Sequence, residues 1–266
     1  MASHLHLRPR GETGEIHHIT PHSAGWRHVG FAVHRLAQGA ILNIETGGRE
    51  ICIVPLSGTA EIMVRGVLLG SIGGRESPFD GPPSCAYVPP NADFGLTASS
   101  ACEIALCSAP AGGRLPARLI SPSDIGQETR GKGSNLRKVA NILPDTSPHA
   151  ESLLVVEVIT PSGHWSSYPP HKHDRDALPA ESQLEETYYH RFNPAQGYAV
   201  QRVYSDDRTL DETITVEDRD VVLVPRGYHP VGVAHGYDLF YLNVMAGPKR
   251  VWKFHNDPAH EWLVKG

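Results

Sequence analysis

The feature that most constrains this chain is its punctuation: short apolar runs, each closed by glycine or proline, follow one another from end to end. Val29, Phe31 and Val33 alternate with small or polar residues, and runs follow at Ala40–Ile44, Ile51–Leu56, Ala60–Val64, Cys85–Val88 and Cys102–Cys107. Turn chemistry separates them at Gly47-Gly48, Ser57-Gly58, Gly73-Gly74, Pro82-Pro83 and Pro89-Pro90-Asn91. Runs this short are strand-length, and Gly/Pro clusters are where a chain reverses. After a polar stretch, runs resume at Leu153–Ile159, Glu186–Phe192, Tyr198–Tyr204, Val221–Val224 and Leu239–Met245. No 3.6-residue pattern is long enough for a helical bundle, so the fold class is all-β. The halves repeat one plan, short strands and then a proline-marked turn before a closing strand. Two tandem small β-barrels are therefore expected: residues 1–120, a connection at 121–152, and residues 153–266 with a tail.

Composition enters by exclusion. A net charge of −5 and a pI near 6.3 give no electrostatic ground for nucleic acid. No segment reaches the roughly 18–20 apolar residues of a membrane span. The first ten residues, Met1 to Arg10, lack the apolar core of a secretory signal, so a cytoplasmic protein is expected. Cys52, Cys85, Cys102 and Cys107 form no C-x-x-C pair and sit in strand-like contexts, which reads as buried reduced thiols. Arg130-Gly-Lys-Gly reads as a solvated basic turn, with a substrate contact as the alternative.

The chemistry gathers in the second half. In Pro169-Pro-His171-Lys-His173-Asp, two histidines two apart on extended backbone turn to one side and make a clamp for a borderline divalent ion. Alone, H-x-H is a weak signal. The next strand, Leu184-Glu185-Glu186-Thr-Tyr188-Tyr-His190-Arg191-Phe, offers a carboxylate to oppose them. A further strand runs into Pro225-Arg226-Gly227-Tyr-His229-Pro, where glycine permits a tight turn and the prolines fix it. On the glutamate strand Glu186, Tyr188 and His190 share one face, and Glu185, Thr187 and Tyr189 the other.

This constellation resembles the two motifs of the cupin superfamily, which implies a bicupin, with metal ligands His171, His173, a glutamate of the 185/186 pair and His229. Two spacings depart from the usual pattern: eleven residues, Asp174 to Leu184, precede the glutamates, and one residue instead of two separates Gly227 from His229. Glu186 is preferred as the ligand because Glu-Thr-Tyr resembles the Glu-Val-Tyr of related uronate isomerases, with Glu185 as the alternative. The first half has no matching set at Ile44–Glu50 or Pro89–Ala92, so its barrel is read as metal-free. His17, His18, His22, His28 and His34 are read as surface or structural.

The resemblance is closest to the 5-deoxy-glucuronate isomerases of bacterial myo-inositol catabolism. It is carried by Leu184–Phe192, Pro194-Ala-Gln-Gly, Gln201-Arg-Val-Tyr, Val224–Gly232, Tyr241–Pro248 and His255–Trp262, and extends from about Gly25 to Leu263. It implies an aldose–ketose isomerase converting 5-deoxy-D-glucuronate to 5-dehydro-2-deoxy-D-gluconate through a metal-stabilised enediolate. One divalent transition metal per chain (Zn, Mn, Fe, Co or Ni) would leave two of six coordination positions for substrate oxygens. Tyr188, His190 and Glu185 are the candidates for the proton shuttle. Arg202, with Arg191 or Arg226, is the candidate clamp for the uronate carboxylate. The partner is then a small sugar acid, with a homo-oligomer possible. His235 is placed near the pocket, and His255 and His260 in a tail packed on the barrel. The rivals are an iron-dependent cupin dioxygenase and a non-catalytic sugar-binding cupin.

Overall fold

Alternation along each run sets which side chains are buried. In Asp93–Ala98, Phe94, Leu96 and Ala98 turn inward while Asp93 and Thr97 face solvent. Strands covered on both faces read instead as unbroken apolar runs, as Val221–Val224 and Asp238–Ala246 do. The computed structural model describes residues 3–264, and its regular elements are strands, short 3-10 turns and one four-residue helix, Pro21–Ala24. It contains two compact units, one of Pro9–Gly126 with Asn141–Val155, the other of Met1–Arg8, Gln127–Ala140 and Val156–Gly266. No helix among the described residues is long and apolar enough to cross a membrane.

The first unit holds a nine-stranded sheet. Its main path runs Arg118–Ile120, Cys85–Val88, Arg49–Val64, Cys102–Pro110, Gly30–Leu36 and Gly14–Ile19. Its core gathers Ile51, Ile53, Ile62, Phe94, Leu96, Ile104 and Leu106, each contributing about 1.5–3 kcal/mol on burial. Two expected turns are absent. Ser57-Gly58 and Gly73-Gly74 lie inside the long strands Arg49–Val64 and Val67–Arg75, as bulges. The strands touch there so closely that a Cβ on Gly73 would sit 2.1 Å from the Gly58 carbonyl oxygen. The glycines thus serve close approach and a bend, not reversal. All four cysteines are free and buried, as expected.

A seven-stranded sheet, most of whose residues belong to the second unit, is ordered His6–Leu7, Val221–Val224, Glu185–Asn193, Asp238–Ala246, Leu154–Thr160, Arg137–Leu143 and Gly126–Arg130. A four-stranded sheet runs Trp165–Ser166, Val231–Val233, Ala199–Tyr204 and Asp211–Val216. Side chains of the two sheets meet inside the unit, as where the hydroxyls of Ser166 and Tyr241 hydrogen-bond.

These unit boundaries differ from divisions at 120 and 152, for local reasons. Residues 121–152 are no linker, since they supply the strands Gly126–Arg130 and Arg137–Leu143. The stretch from Asn141 joins the first unit because buried Glu50 accepts hydrogen bonds from the backbone N–H groups of Glu151, Ser152 and Leu153. The N-terminal residues join the second unit because His6–Leu7 pairs with Val221–Val222 and the His6 ring contacts Asp220 at 2.7 Å.

Candidate metal centre

Three of the sequence-predicted ligands converge. The strand Glu185–Asn193 turns the Glu186 carboxylate inward, 3.1 Å from His173 Nε2 and 3.2 Å from His229 Nε2. Ligand atoms of His173, Glu186 and His229 all lie within 4.8 Å of one another, and all three residues are buried. His171 flanks this trio without joining it, its ring centroid 4.9 Å from that of His229 and 6.3 Å from that of His173.

The unusual spacings are absorbed locally. Asp174–Ala177 and Glu181–Gln183 pair as a small hairpin, and the returning Leu184 N–H donates to the His173 carbonyl. Eleven residues thus leave and re-enter at one point, which puts Glu186 beside His173 despite the long spacer. In the second motif Gly227 takes a left-handed φ of +88°, and a Cβ there would lie 2.4 Å from the Tyr204 carbonyl oxygen. Only glycine turns the chain tightly enough there to deliver His229 one residue early.

Hydrogen bonds on the far side of each ring fix its orientation. His229 Nδ1 donates to the Gly227 carbonyl at 2.8 Å, and His173 Nδ1 donates to that of Leu184 at 3.1 Å. This leaves His229 Nε2 as the ring nitrogen that faces the Glu186 oxygen, 3.2 Å away, buried and without a hydrogen-bond partner. With each Nδ1 committed to a carbonyl, the two Nε2 atoms and the Glu186 oxygen are the donor atoms left facing one another, a buried set that favours positive charge, a proton or a metal ion, among them. The acid–base preferences agree. Burial would raise the Glu186 carboxyl, but His229 and His173 outweigh it and hold it down to about 2. Burial lowers the His171 ring well below its ordinary value, with His229 and His173 adding to the effect. Burial would lower His173 too, yet the Glu186 hydrogen bond and charge raise it, so this position attracts a cation. Two imidazoles and a carboxylate, with a third imidazole adjacent, form a donor set that fits a borderline divalent ion.

Beside the ligands, Tyr188 and His190 line the same face. The Tyr188 ring lies 5.7 Å from that of His229 and stacks 6.0 Å from that of His190. Burial and the Glu186 charge push the Tyr188 phenol well above its ordinary range, and it hydrogen-bonds Ser167 at 2.8 Å. Burial depresses His190 to about 4, and its Nδ1 donates to the Asp220 carbonyl. His190 is thus neutral near pH 7, with Nε2 buried and unpartnered. Glu185 lies on the opposite face of the strand, as the two-residue period requires.

None of the three expected arginines reaches the cluster. Arg202 alternates with inward Gln201 and Val203, so it points out and forms a two-pronged ion pair with Asp211, both contacts 2.7 Å. Arg191 is tied to Asp218 at 2.9 Å, and exposed Arg226 bonds Thr209. An arginine that does act near these residues is Arg137, from the stretch read as a connection. Its guanidinium donates to the carbonyls of Asn135 and Tyr168 at 3.1 and 3.4 Å, and its charge is felt at His171 and Tyr241. No local signal marks Arg137, because only the long-range pairing of its strand brings it here. Tyr241 and Asn243 were legible in principle: they pair with His190 and Tyr188 in register and share their face by strand period. Phe254, in the tail, covers the His171 ring at 4.7 Å, and the neighbouring His255–Asn256 pairs with His171–Lys172.

A model of the KduI/IolB family matches residues 5–263. The chain belongs to the KduI/IolB family. It is 54% identical over 255 residues to the 5-deoxy-glucuronate isomerase of Geobacillus kaustophilus, covering 96% of this chain and 92% of that one. It is 52% identical over 251 residues to the enzyme of the same name from Bacillus subtilis strain 168, covering 94% and 93%. An IolB-like protein of Salmonella typhimurium superposes with a TM-score of 0.95 at 50% identity, covering 98% of this chain and 99% of that one. The cupin-type fold extends to remote structures. Oxalate decarboxylase of Lactobacillus farciminis matches at TM-score 0.69 and 12% identity, covering 100% of this chain and 91% of that one. The Bacillus subtilis oxalate decarboxylase, a protein with Mn(II) centres, matches at 0.64 and 14%, covering 96% and 80%.

Proposed function

We propose that this member of the family is a 5-deoxy-glucuronate isomerase, an aldose–ketose isomerase that forms 5-dehydro-2-deoxy-D-gluconate with one divalent ion held by His173, Glu186, His229 and His171. The observation that carries the reading is the approach of His229 Nε2 and His173 Nε2 to one buried Glu186 oxygen, in a chain about half identical to enzymes of that name. When bound, the ion supplies positive charge that polarises the substrate carbonyl and eases loss of the C2 proton.

The chain's own residues do the rest. Tyr188, protonated at every working pH, donates a hydrogen bond to a substrate oxygen beside the ligands. His190, neutral and with a free Nε2, is the base of the pair. Glu185 has no part, because it faces away from the ligands. Arg137 replaces Arg202, Arg191 and Arg226 as the group that meets the uronate carboxylate, which suits the planar fork of a guanidinium. The exposed Phe254 covers the His171 ring, and buried Tyr241 packs on Tyr188.

The test is turnover of 5-deoxy-glucuronate by purified protein, followed by NMR, before and after chelation. Turnover should vanish on chelation, return with Zn, Mn, Fe, Co or Ni, and consume no oxygen. Absence of turnover in the metal-replete protein refutes the reading, and oxygen uptake would point to a dioxygenase instead.

A further inference from the structure

Between the two histidines of the first motif lies a lysine that is not on the surface. Lys172 is 1% exposed, and its ammonium meets three carboxylates: Asp174 at 2.7 Å, Glu181 at 3.3 Å and Asp206 at 3.3 Å. Each carboxylate is also tied to another part of the site. Glu181 accepts the backbone N–H groups of Asp174 and Arg175 at 2.8 and 3.2 Å, which closes the hairpin that fills the long spacer. Asp174 accepts the Gly227 N–H at 2.8 Å, and Asp206 accepts the Tyr228 hydroxyl at 2.8 Å. Gly227 and Tyr228 are the two residues before His229, and the Gly227 carbonyl orients the His229 ring. The Tyr228 ring itself lies 5.8 Å from the ammonium.

We propose that Lys172 is a positioning residue that locks the turn carrying His229 onto the H-x-H segment, and so sets the spacing of His229 from His173 and Glu186. A path of hydrogen bonds runs from Lys172 through Asp174 and Gly227 to His229. A buried ion pair rarely exceeds well-packed apolar side chains in net stability, because desolvating its charges offsets their attraction. What a lysine adds here is geometry: one compact ammonium fixes three carboxylates, two of which hold the turn. It also gives the eleven-residue spacer a use, since Asp174 and Glu181 both belong to it. The inference rests on the metal-centre reading but not on the identity of the substrate.

The test measures Zn2+ affinity by chelator competition, the visible spectrum of the Co2+ form, and the melting temperature before metal is added. It compares wild type with Lys172→Met and Lys172→Met/Glu181→Gln. The double variant removes one carboxylate charge, in case the single change leaves too much uncompensated charge to fold. Both variants should bind Zn2+ roughly 10- to 100-fold more weakly, with an altered Co2+ spectrum, beyond any change in melting temperature. A folded variant with wild-type affinity and spectrum overturns the proposal, and so does failure of both to fold, which would make Lys172 a stability residue. Wild-type protein that binds no metal would refute the metal centre itself, a separate outcome.

Discussion

Replacing Gly227 by alanine tests whether one backbone position sets the metal centre. At φ +88° an alanine carries a left-handed penalty of about 1–2 kcal/mol. Its Cβ would also meet backbone on the neighbouring strand: the Tyr204 oxygen at 2.4 Å, its carbon at 2.8 Å and the Ser205 nitrogen at 3.2 Å. Ordinary contact begins near 3.4 Å, so the turn must retreat by about 1 Å. That retreat strains the paired hydrogen bonds between Tyr204 and Tyr228, now 2.9 and 2.8 Å, at about 0.5–1.5 kcal/mol each. The total is about 2–5 kcal/mol, a fall in Tm on the order of 5–15 °C. Two residues on, His229 moves with the turn, whereas ligand distances tolerate only about 0.2 Å. Zn2+ affinity should therefore fall at least about 10-fold, on the scale of lost supporting contacts. Thermal melts and chelator competition read both effects. Wild-type Tm and affinity in Gly227→Ala would show that the turn has slack and refute the reasoning.

Two further perturbations separate the roles of neighbouring residues. His190 titrates at about 4 in the folded protein because burial disfavours its charged form. Between that value and its ordinary 6.5 the unfolded chain binds a proton that the folded chain refuses. Stability should therefore be complete above pH 6.5 and fall towards pH 4, by about 3 kcal/mol in all. In urea titrations at pH 7, 5 and 4, His190→Gln should flatten this dependence, and an unchanged slope would exclude His190 as its source. Arg137→Gln should raise KM roughly 10- to 150-fold, the loss of a charged hydrogen bond worth about 1.5–3 kcal/mol. Arg202→Lys should leave KM unchanged, so steady-state kinetics showing the reverse would return the carboxylate to the outer arginine.

How much of this was legible depends on the range of the forces involved. Strand period two is a local property. It identified the all-β class, the shared face of Glu186, Tyr188 and His190, and the inward turn of His171 and His173. It also contained the answer for Arg202 and Glu185, which lie on the wrong face, although a chemical preference for arginine near a carboxylate drew attention to Arg202. Turn chemistry at Pro225-Arg-Gly227 located His229, because a left-handed glycine is a one-residue requirement. The same residue type misled at Ser57-Gly58 and Gly73-Gly74, where the glycines permit two backbones to touch across strands.

What the amino-acid order determined alone is thus which candidate side chains share a face, since that follows from spacing along one chain. The tertiary structure decided what spacing cannot express. It folded the long spacer into a hairpin so that Glu186 returns beside His173, and it drew Arg137 from an apparent connection to the neighbourhood of His171. It also buried Lys172 between His171 and His173, where Asp206, remote in sequence, joins Asp174 and Glu181 of the hairpin around the ammonium. Each depends on pairing between distant segments, whose energy is gained only when the whole sheet has formed.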